Sequence, residues 1–338
     1  RSEDDRRGYE NFVGSTLGVK GALRRDELDT ITSIDPYVQA LWKSGPWQWS
    51  LGARHSRVSF KVEDRYIKTD NPDDSGSVRF SKTTPALGVS YALSPATNLY
   101  ASVGAGYETP TLNELSYATP TTGFNFGLRP STSRQAEIGI KTFVSDNARI
   151  NAALFRIETD DEIVVLASED GRTSYQNAGR TLRQGLELAA QAELTRTLTA
   201  RASLTWMQAE YDEAFSSRGT TVAAGNRIPG VPRIAAFAEL AWEATPGVTL
   251  AGEVLHRGEV EVSDLNNDHV APAYTLVNLR LSAEQRQGPW TFGQLLRVDN
   301  VLDREYVGSV IVGDSNKRYY EPGPERSVYA GVSASYRF

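Results

Sequence analysis

Cysteine is absent from this 338-residue chain, methionine occurs once and histidine three times. The first absence excludes a disulfide framework and any thiolate metal site, and it leaves the redox compartment unread. The histidines, His55, His256 and His269, make no ligand-spaced cluster. The acidic groups Asp160-Asp-Glu162 and Asp264-Leu-Asn-Asn-Asp268 lack EF-hand spacing, so solvated strand or loop ends suit them better than a metal centre. A basic excess is also missing: Lys plus Arg total 36 against 42 Asp plus Glu, a net charge of -6. Nucleic acid, which needs a basic stripe, is excluded as a partner. No apolar run approaches the roughly 18 residues of a membrane helix. Stretches such as Ile163-Val-Val-Leu-Ala167 are far too short.

What the chain does have is alternation. Stepping back by two from the terminus gives Phe338, Tyr336, Ala334, Val332, Ala330 and Val328, all apolar, while Arg337, Ser335, Ser333, Gly331, Tyr329 and Ser327 interleave. That is an extended strand with one face avoiding water. Thr275–Ala283 repeats the pattern, with Val277, Leu279, Leu281 and Ala283 in one row and Asn278, Arg280 and Ser282 in the other.

Turns punctuate these strands in two alternating kinds. Tight turns fall at Lys43-Ser-Gly-Pro46, Ser94-Pro-Ala-Thr97, Ser145-Asp-Asn147, near Thr195-Arg-Thr197, at Ala244-Thr-Pro-Gly247 and at Gln287-Gly-Pro289. They recur about every 40 to 50 residues, the period of a repeated β-unit. Longer polar segments lie between them at 63–77, 108–131, 166–175, 212–232, 261–271 and 302–325. Short periplasmic turns alternating with long extracellular loops are the plan of a transmembrane β-barrel, whose polar lumen also explains a mean hydropathy of -0.40. The fold expected is all-β, an antiparallel barrel wall of about fourteen strands. They include Trp47–Glu63, Val78–Leu93, Arg149–Leu166, Gln176–Leu194, Leu198–Tyr211, Val248–Val262 and Ala273–Glu284, with a first strand inside Gly14–Asp29. A kelch propeller has a similar period but carries double glycines, and this chain has no Gly-Gly. Trp42, Trp47, Trp49, Trp242 and Trp290 flank tight turns, as one aromatic belt would; Trp206 does not.

Several phrases resemble the barrel half of TonB-dependent receptors of the bacterial outer membrane. They are Tyr100-Ala-Ser-Val-Gly-Ala-Gly-Tyr-Glu-Thr-Pro-Thr-Leu-Asn-Glu-Leu115, Arg129-Pro-Ser-Thr-Ser-Arg-Gln-Ala-Glu-Ile-Gly-Ile-Lys141, and Tyr175-Gln-Asn-Ala-Gly-Arg180 leading into Gly185-Leu-Glu-Leu188. Asn226-Arg-Ile-Pro-Gly-Val-Pro-Arg233 and Arg297-Val-Asp-Asn-Val-Leu-Asp-Arg-Glu-Tyr306 complete the set. The resemblance implies a barrel of about 22 strands plugged by an N-terminal domain, of which 1–338 would be the C-terminal part of the barrel without the plug. It also implies energy-coupled uptake of a scarce substrate, a ferric siderophore or similar chelate. The implied partners are outer-membrane lipid, the plug and the TonB–ExbB–ExbD complex, reached through the N-terminal region and its TonB box. The terminal Tyr336 and Phe338 match the family's membrane-insertion signature. A wall of fourteen strands would leave two open edges in lipid, and the chain opens on Arg1 without an initiator Met, so a longer parent is expected.

The residues themselves leave the ligand open. Ligand capture belongs to loops in this architecture, and the aromatic and arginine candidates are Tyr117, Phe124, Phe126 and Arg129 in one loop and Arg318, Tyr319 and Tyr320 in another. Aromatic faces would pack a flat conjugated ligand and arginine forks its carboxylates; self-packing of the loops is the structural alternative. Glu108–Tyr117 with Phe124–Ser131, and Tyr306–Val312 before Arg318–Pro322, resemble a branch linked with an acidic quinone cofactor such as pyrroloquinoline quinone. Arg297 with Asp299, and Glu137, Lys141 and Glu187, are expected on the lumen wall. A passive porin and a barrel lipase using a Ser/His pair are the readings from other classes; the latter lacks a Gly-x-Ser-x-Gly elbow. No cofactor is expected.

Overall fold

The computed structural model describes residues 1–69, 71–116, 123–169, 172–267 and 269–338. Fifteen strands share one sheet. In chain order they are β1 Ser2–Tyr9, β2 Leu23–Ile34, β3 Tyr37–Ser44, β4 Trp47–Asp64, β5 Gly76–Ser94 and β6 Thr97–Glu108. There follow β7 Ser131–Ser145, β8 Ala148–Asp160, β9 Thr181–Glu193, β10 Leu198–Tyr211 and β11 Ile234–Thr245. The last are β12 Val248–Arg257, β13 Tyr274–Gln287, β14 Trp290–Asp299 and β15 Ser327–Tyr336. The ladder runs from β1 to β15 as an antiparallel meander, and among the described residues no ladder joins these two edge strands.

β2 and β3 are one strand interrupted at Asp35-Pro36. Residues 27–34 pair with the far half of β4 and residues 37–44 with its near half. Pro36 has no N–H to donate to a ladder, though its carbonyl accepts from the His55 amide at 2.9 Å. Counted this way the wall has fourteen strands, one fewer than the fifteen segments.

Register assigns every side chain to one of two faces, because successive residues point to opposite sides. On the first half of the wall, one face carries Trp47, Trp49, Leu51 and Ala53 on β4 beside Tyr91, Val89, Leu87 and Pro85 on β5. It continues through Leu99, Ala101 and Val103 to Ile140, Ile138 and Ala136 on β7. On the second half the same face carries Leu198, Ala200, Ala202 and Leu204 beside Trp242, Leu240, Ala238 and Ala236. It ends on Val328, Ala330, Val332, Ala334 and Tyr336 of β15, paired with Val298, Leu296, Gln294, Phe292 and Trp290. Many of these large apolar side chains are exposed; a continuous exposed apolar band on a sheet is a lipid-facing surface.

The band has two rims. At the tight-turn end Trp47 packs on Tyr91 (ring centroids 4.6 Å apart), Trp42 stands opposite Trp49, and Trp290 meets Tyr336 at 5.0 Å, which in turn meets Phe338 at 5.1 Å. Trp206 lies in the same outward row but opposite Ile234, at the far end; it marks the other rim. Beyond that rim the outward residues turn polar: after Ala53 and Pro85 come His55, Arg57, Ser59 and Lys61 beside Thr83, Ser81, Arg79 and Ser77. β4 has 18 residues, about 60 Å of extended chain where a tilted membrane strand needs roughly 9–11 residues. Its far half therefore stands outside the membrane.

The inward face is charged, and its charges are paired. Glu239 and Glu253 stand directly opposite each other across β11 and β12, an unfavourable juxtaposition. Arg280 resolves it by reaching both, at 2.8 Å and 3.8 Å. Arg201 adds a contact to Glu239 at 3.4 Å, and Arg297 grips Glu253 with two parallel bonds of 2.8 Å and 2.7 Å while its Nε donates to Asp299 at 2.7 Å. The expected Arg297–Asp299 pair is thus one end of a ladder across five strands. Glu137 also faces inward and accepts from the Tyr100 hydroxyl at 2.7 Å.

Strand ends differ from expectation on the loop side. The wall begins at β1, whose sequence Ser-Glu-Asp-Asp-Arg-Arg-Gly-Tyr is too charged to show an apolar row, and 14–29 contains only the start of β2 and the short strand Thr16–Leu17. β8 stops at Asp160 and β9 starts at Thr181, so the expected strands reaching Leu166 and starting at Gln176 were each too long. Residues 163–177 instead form a separate hairpin, Ile163–Glu169 with Arg172–Asn177. The face assignment makes a sharp prediction. Leu281→Arg, on the lipid side, should cost about 2–4 kcal/mol of folding stability in lipid vesicles, whereas the neighbouring lumen substitution Ser282→Arg should cost far less; equal costs would reverse the assignment.

Candidate functional site

The connections on the far side of the wall do not splay into solvent; they fold over one another. In the loop after β6, Thr111 caps the four-residue helix Leu112–Leu115 by accepting from the Glu114 amide at 3.3 Å, while the Glu114 carboxylate accepts from the Thr111 amide at 2.6 Å. The helix plants Leu115, fully buried, against Phe60 and Leu128. The loop is thereby drawn down onto β4 and β5. Phe124 and Phe126 stack at 5.7 Å, and Phe126 lies so close to Gly76 that a side chain there would overlap its ring.

The hairpin Ile163–Asn177 is the hub of the loop layer. Ile163 and Tyr175 pack beside the Phe60–Leu115 cluster, whereas Val164 enters a second cluster with Ala178, Ala209, Tyr211, Val222 and Ile228. At its tip the Ser168 carbonyl accepts from the Ser315 amide at 3.0 Å, which ties it to the loop before β15. The second cluster is pinned by polar contacts as well. The buried Tyr211 hydroxyl donates to Asp264 at 2.6 Å, Asn226 donates to the Asp264 carbonyl at 2.8 Å, and Asn266 accepts from the Arg227 amide at 2.6 Å. Between these clusters and β1 and β2 lies a polar crevice of about 530 Å³, lined by Arg6, Arg7, Arg24, Arg25 and Arg172, by the carboxylates Glu27, Asp64 and Asp74, and by Phe124. The guanidinium of Arg25 sits 5.9 Å from the Phe124 ring centre. Arg6 is occupied by the buried carboxylates Glu27 and Asp29, at 3.3 Å and 3.5 Å.

The residues singled out from the sequence fall into different settings. Tyr117 lies outside the described residues. Phe124 reaches the arginine crevice, and Phe126 stacks behind it against Gly76. Arg129 is part of a loop clasp: its guanidinium holds Asp161 at 2.6 Å, which raises its pKa further, and its amide and carbonyl are both bonded by Asn177 at 2.8 Å. Tyr319 is buried with Val260, Val262 and Ala271, and its ring lies 5.5 Å from that of His269. Tyr320 is exposed and donates to the Val270 carbonyl at 3.2 Å; the Arg318 amide donates to Asp314 at 2.7 Å and its side chain is exposed. Among the described residues the two loops share no hydrophobic cluster; the Ile163–Asn177 hairpin lies between them. Tyr336 and Phe338 stand at the tight-turn rim with Trp290. The crevice arginines were missed, although the doublets Arg6-Arg7 and Arg24-Arg25 were a visible signal. Among the described residues no group of histidine and carboxylate side chains is placed to hold a metal ion.

A sheet with an outward apolar band, an inward charged ladder and interlocked far-side loops has the form of one wall of a large outer-membrane barrel. The family profile described as TonB dependent receptor-like, beta-barrel, matches residues 2–301. The chain belongs to the TonB-dependent receptor family. It is therefore a bacterial outer-membrane protein. The ferrioxamine B receptor of Salmonella typhimurium is 26% identical over 303 residues, 88% of this chain and 40% of the relative. The metal-pseudopaline receptor CntO of Pseudomonas aeruginosa is 24% identical over 306 residues, 87% and 39% of the two. Among solved structures, the siderophore receptor PiuA from Acinetobacter baumannii superposes with a TM-score of 0.75 at 18% identity, covering 95% of this chain and 46% of that one. The unliganded ferric citrate transporter FecA does so with 0.75 at 19%, covering 96% and 48%. The chain spans about two fifths of the length of the curated relatives it matches. These TonB-dependent relatives are receptors and transporters by name, not enzymes.

The Tyr211–Asp264 bond gives the loop layer a pH response. Burial pushes the Asp264 carboxyl above its ordinary range, only partly offset by the Tyr211 hydrogen bond, and burial beside Asp264 pushes the Tyr211 phenol up. Because the folded-state pKa of Asp264 is raised, its contribution is full below the ordinary carboxylate pKa and declines as pH rises through the raised value. Tyr211→Phe should cost the loop layer about 1–3 kcal/mol at neutral pH, where it strips a buried carboxylate of its donor, and less in acid. Hydrogen exchange of residues 205–230 and 259–267 at both pH values measures this; a loss independent of pH would contradict it.

Proposed function

We propose that this chain forms much of the barrel wall and ligand-gathering mouth of a TonB-dependent receptor that takes up a ferric siderophore or a similar anionic chelate. The observation that carries the reading is the crevice in which Arg6, Arg7, Arg24 and Arg25 outnumber the carboxylates Glu27, Asp64 and Asp74 that line it with them, next to Phe124 of the stacked Phe124–Phe126 pair; Arg6, Arg7 and Arg25 already pair with carboxylates of the wall, which leaves Arg24 as the principal ligand contact. Guanidinium forks pair with carboxylates and catecholate oxygens, and aromatic faces accept flat ligand groups. Related receptors that carry ferrioxamine, pseudopaline or ferric citrate in their names support the class of substrate.

The open edges of the wall bear on the partners. In lipid, each unpaired backbone group costs several kcal/mol, so β1 and β15 call for further strands, and the wall is read as the C-terminal part of a barrel of about 22 strands. The inward ladder of Glu239, Glu253, Arg280 and Arg297 would then face a plug domain. Transport would be energised through the TonB–ExbB–ExbD complex. An acidic quinone such as pyrroloquinoline quinone is the second reading, since the same arginine and phenylalanine mouth suits a small flat polycarboxylate.

The test is tryptophan-fluorescence titration of the full-length receptor with ferric citrate, a ferric catecholate, ferrioxamine B and pyrroloquinoline quinone. Saturable binding of an iron chelate, weakened about tenfold by Arg24→Ala through loss of one charge-assisted contact, is the expected outcome. Binding of the quinone alone would move the assignment to the second reading, and binding of none would remove both.

A further inference from the structure

The run Tyr306-Val-Gly-Ser-Val310 takes no part in the arginine crevice of β1 and β2. Its strand Val307–Val310 pairs with Tyr320–Pro322 and packs on Val260 and Ala271 of the connection between β12 and β13. Where these segments meet lies a separate cavity of about 240 Å³, walled by Val260, Ala271, Pro272, Val307, Val310 and Val312. Gly230, at φ 75°, closes another side; a Cβ there would meet Val312 at 3.8 Å and Val310 at 4.0 Å.

Two donors converge on this apolar space. Arg257 of β12 and Tyr274 of β13 both line it, and they stand directly opposite each other in the ladder. Their Cβ atoms are therefore about 5 Å apart on one face. That face is the inward one, since Arg257 continues the row of Ala251, Glu253 and Leu255. Among the described residues neither the guanidinium nor the phenol hydroxyl makes an ion pair or a hydrogen bond. The carboxylates nearest to Arg257 along the chain are taken, Glu253 by Arg280 and Arg297, Glu259 and Glu261 by Arg227. Tyr274 is held in place by Tyr306, whose ring lies 4.5 Å from its own and is wedged against Gly323, where any side chain would overlap it. The phenol is thus positioned before any ligand arrives.

A space below the roughly 300–1,000 Å³ of pockets for drug-sized ligands accepts a fragment. One guanidinium without a counter-ion matches one carboxylate, to which a neighbouring phenol also donates. A phosphate or catecholate would bring more charge than a single arginine balances, and a wholly polar acid would forgo the valine walls.

We propose that this cavity is a binding subsite for a monocarboxylate carried on a short apolar or aromatic body. Arg257 and Tyr274 hold the carboxylate, and Val260, Val307 and Val310 receive the body. The subsite is separate from the Arg24 crevice and does not rest on the chelate reading.

The experiment is fluorine NMR of 4-fluorobenzoate titrated against the full-length receptor in lipid nanodiscs, with 4-fluorobenzamide as the uncharged control. The expected result is saturable broadening of the acid and none of the amide. Arg257→Ala should weaken binding about tenfold or more, through loss of one charge-assisted contact, and Arg257→Lys should restore part of it. Val310→Trp, which fills the cavity, should abolish the signal. Arg79→Ala, at an exposed position on the outward face of β5, should leave it intact. Heat-modifiable gel mobility shows which variants keep the folded barrel. Equal broadening of the amide, unchanged affinity in folded Arg257→Ala and Val310→Trp proteins, or loss of binding in folded Arg79→Ala, would each overturn the proposal. A saturating iron chelate that displaces the probe identifies the carboxylate as an arm of the chelate; one that leaves it bound identifies a free organic acid. Failure of every chelate to bind would leave the result standing, because the probe carries no iron and Arg24 lies outside the cavity.

Discussion

Everything in this structure depends on the backbone being fully paired along a sheet whose two faces meet different solvents. Hydrocarbon offers no hydrogen bond to an N–H or C=O, so the strands must form a continuous ladder, and they do from β1 to β15. Once the ladder exists, a side-chain period of two leaves no freedom about where a charge can go. Glu239, Glu253, Arg280 and Arg297 must all share the inner face, and sharing it brings two carboxylates directly opposite each other. The arginines are then a structural necessity, since a buried glutamate pair without them would carry uncompensated charge.

The same rule explains how the wall changes character at the outer rim. Below it, outward positions are apolar; above it, at His55 and Thr83, they are polar while the inward Phe60 and Val62 become buried. Inside and outside exchange roles there because the solvents do. Water now wets the outer face, and the inner face is covered by the Leu112–Leu115 helix and the Ile163–Asn177 hairpin. Two histidines mark this level on opposite parts of the wall, each bonded to a cross-strand threonine, His55 with Thr83 and His256 with Thr275, both at 2.9 Å. They act as polar cross-strand pairs.

That exchange also sets what could be read from the residues alone. Turn spacing and alternation together identified the membrane half of the strands that could be bounded, from Trp47–Glu63 to Ala273–Glu284 and the terminal strand, because lipid selects one row strongly. Alternation misled at the outer ends: Ile163, Val164 and Tyr175 look like a continuation of β8 and β9, but their apolar character serves the loop clusters. Burial against lipid and burial against another loop leave the same mark on a sequence. β1 was invisible for the converse reason, since Arg6 and Arg7 pair with carboxylates of β2 in a region where charge is tolerated on both faces. Among the candidate ligand residues, aromatic and basic character was legible but commitment was not. Tyr319 and Arg129 are spent on holding loops together, a fact that depends on Val260, Val262, Asp161 and Asn177 arriving from distant segments.

The interlocked loops bear on how the loop layer can move. Three small clusters, centred on Leu115, Val222 and Val262, are joined by short polar links such as Tyr211–Asp264 and Ser168–Ser315 rather than by a continuous core. Each cluster is too small to be rigid alone, and each link contributes on the order of 1 kcal/mol. Breaking one such link exposes only its own cluster, so the connection favours opening in units over opening as a block. The Ile163–Asn177 hairpin is the exception, since it touches two of the clusters and the loop before β15. Displacing it would uncouple the Phe124–Phe126 side from the Tyr319–Tyr320 side. Of all the loop elements it is therefore the one whose position can be felt at both ends of the mouth, while the paired inner wall beneath stays fixed.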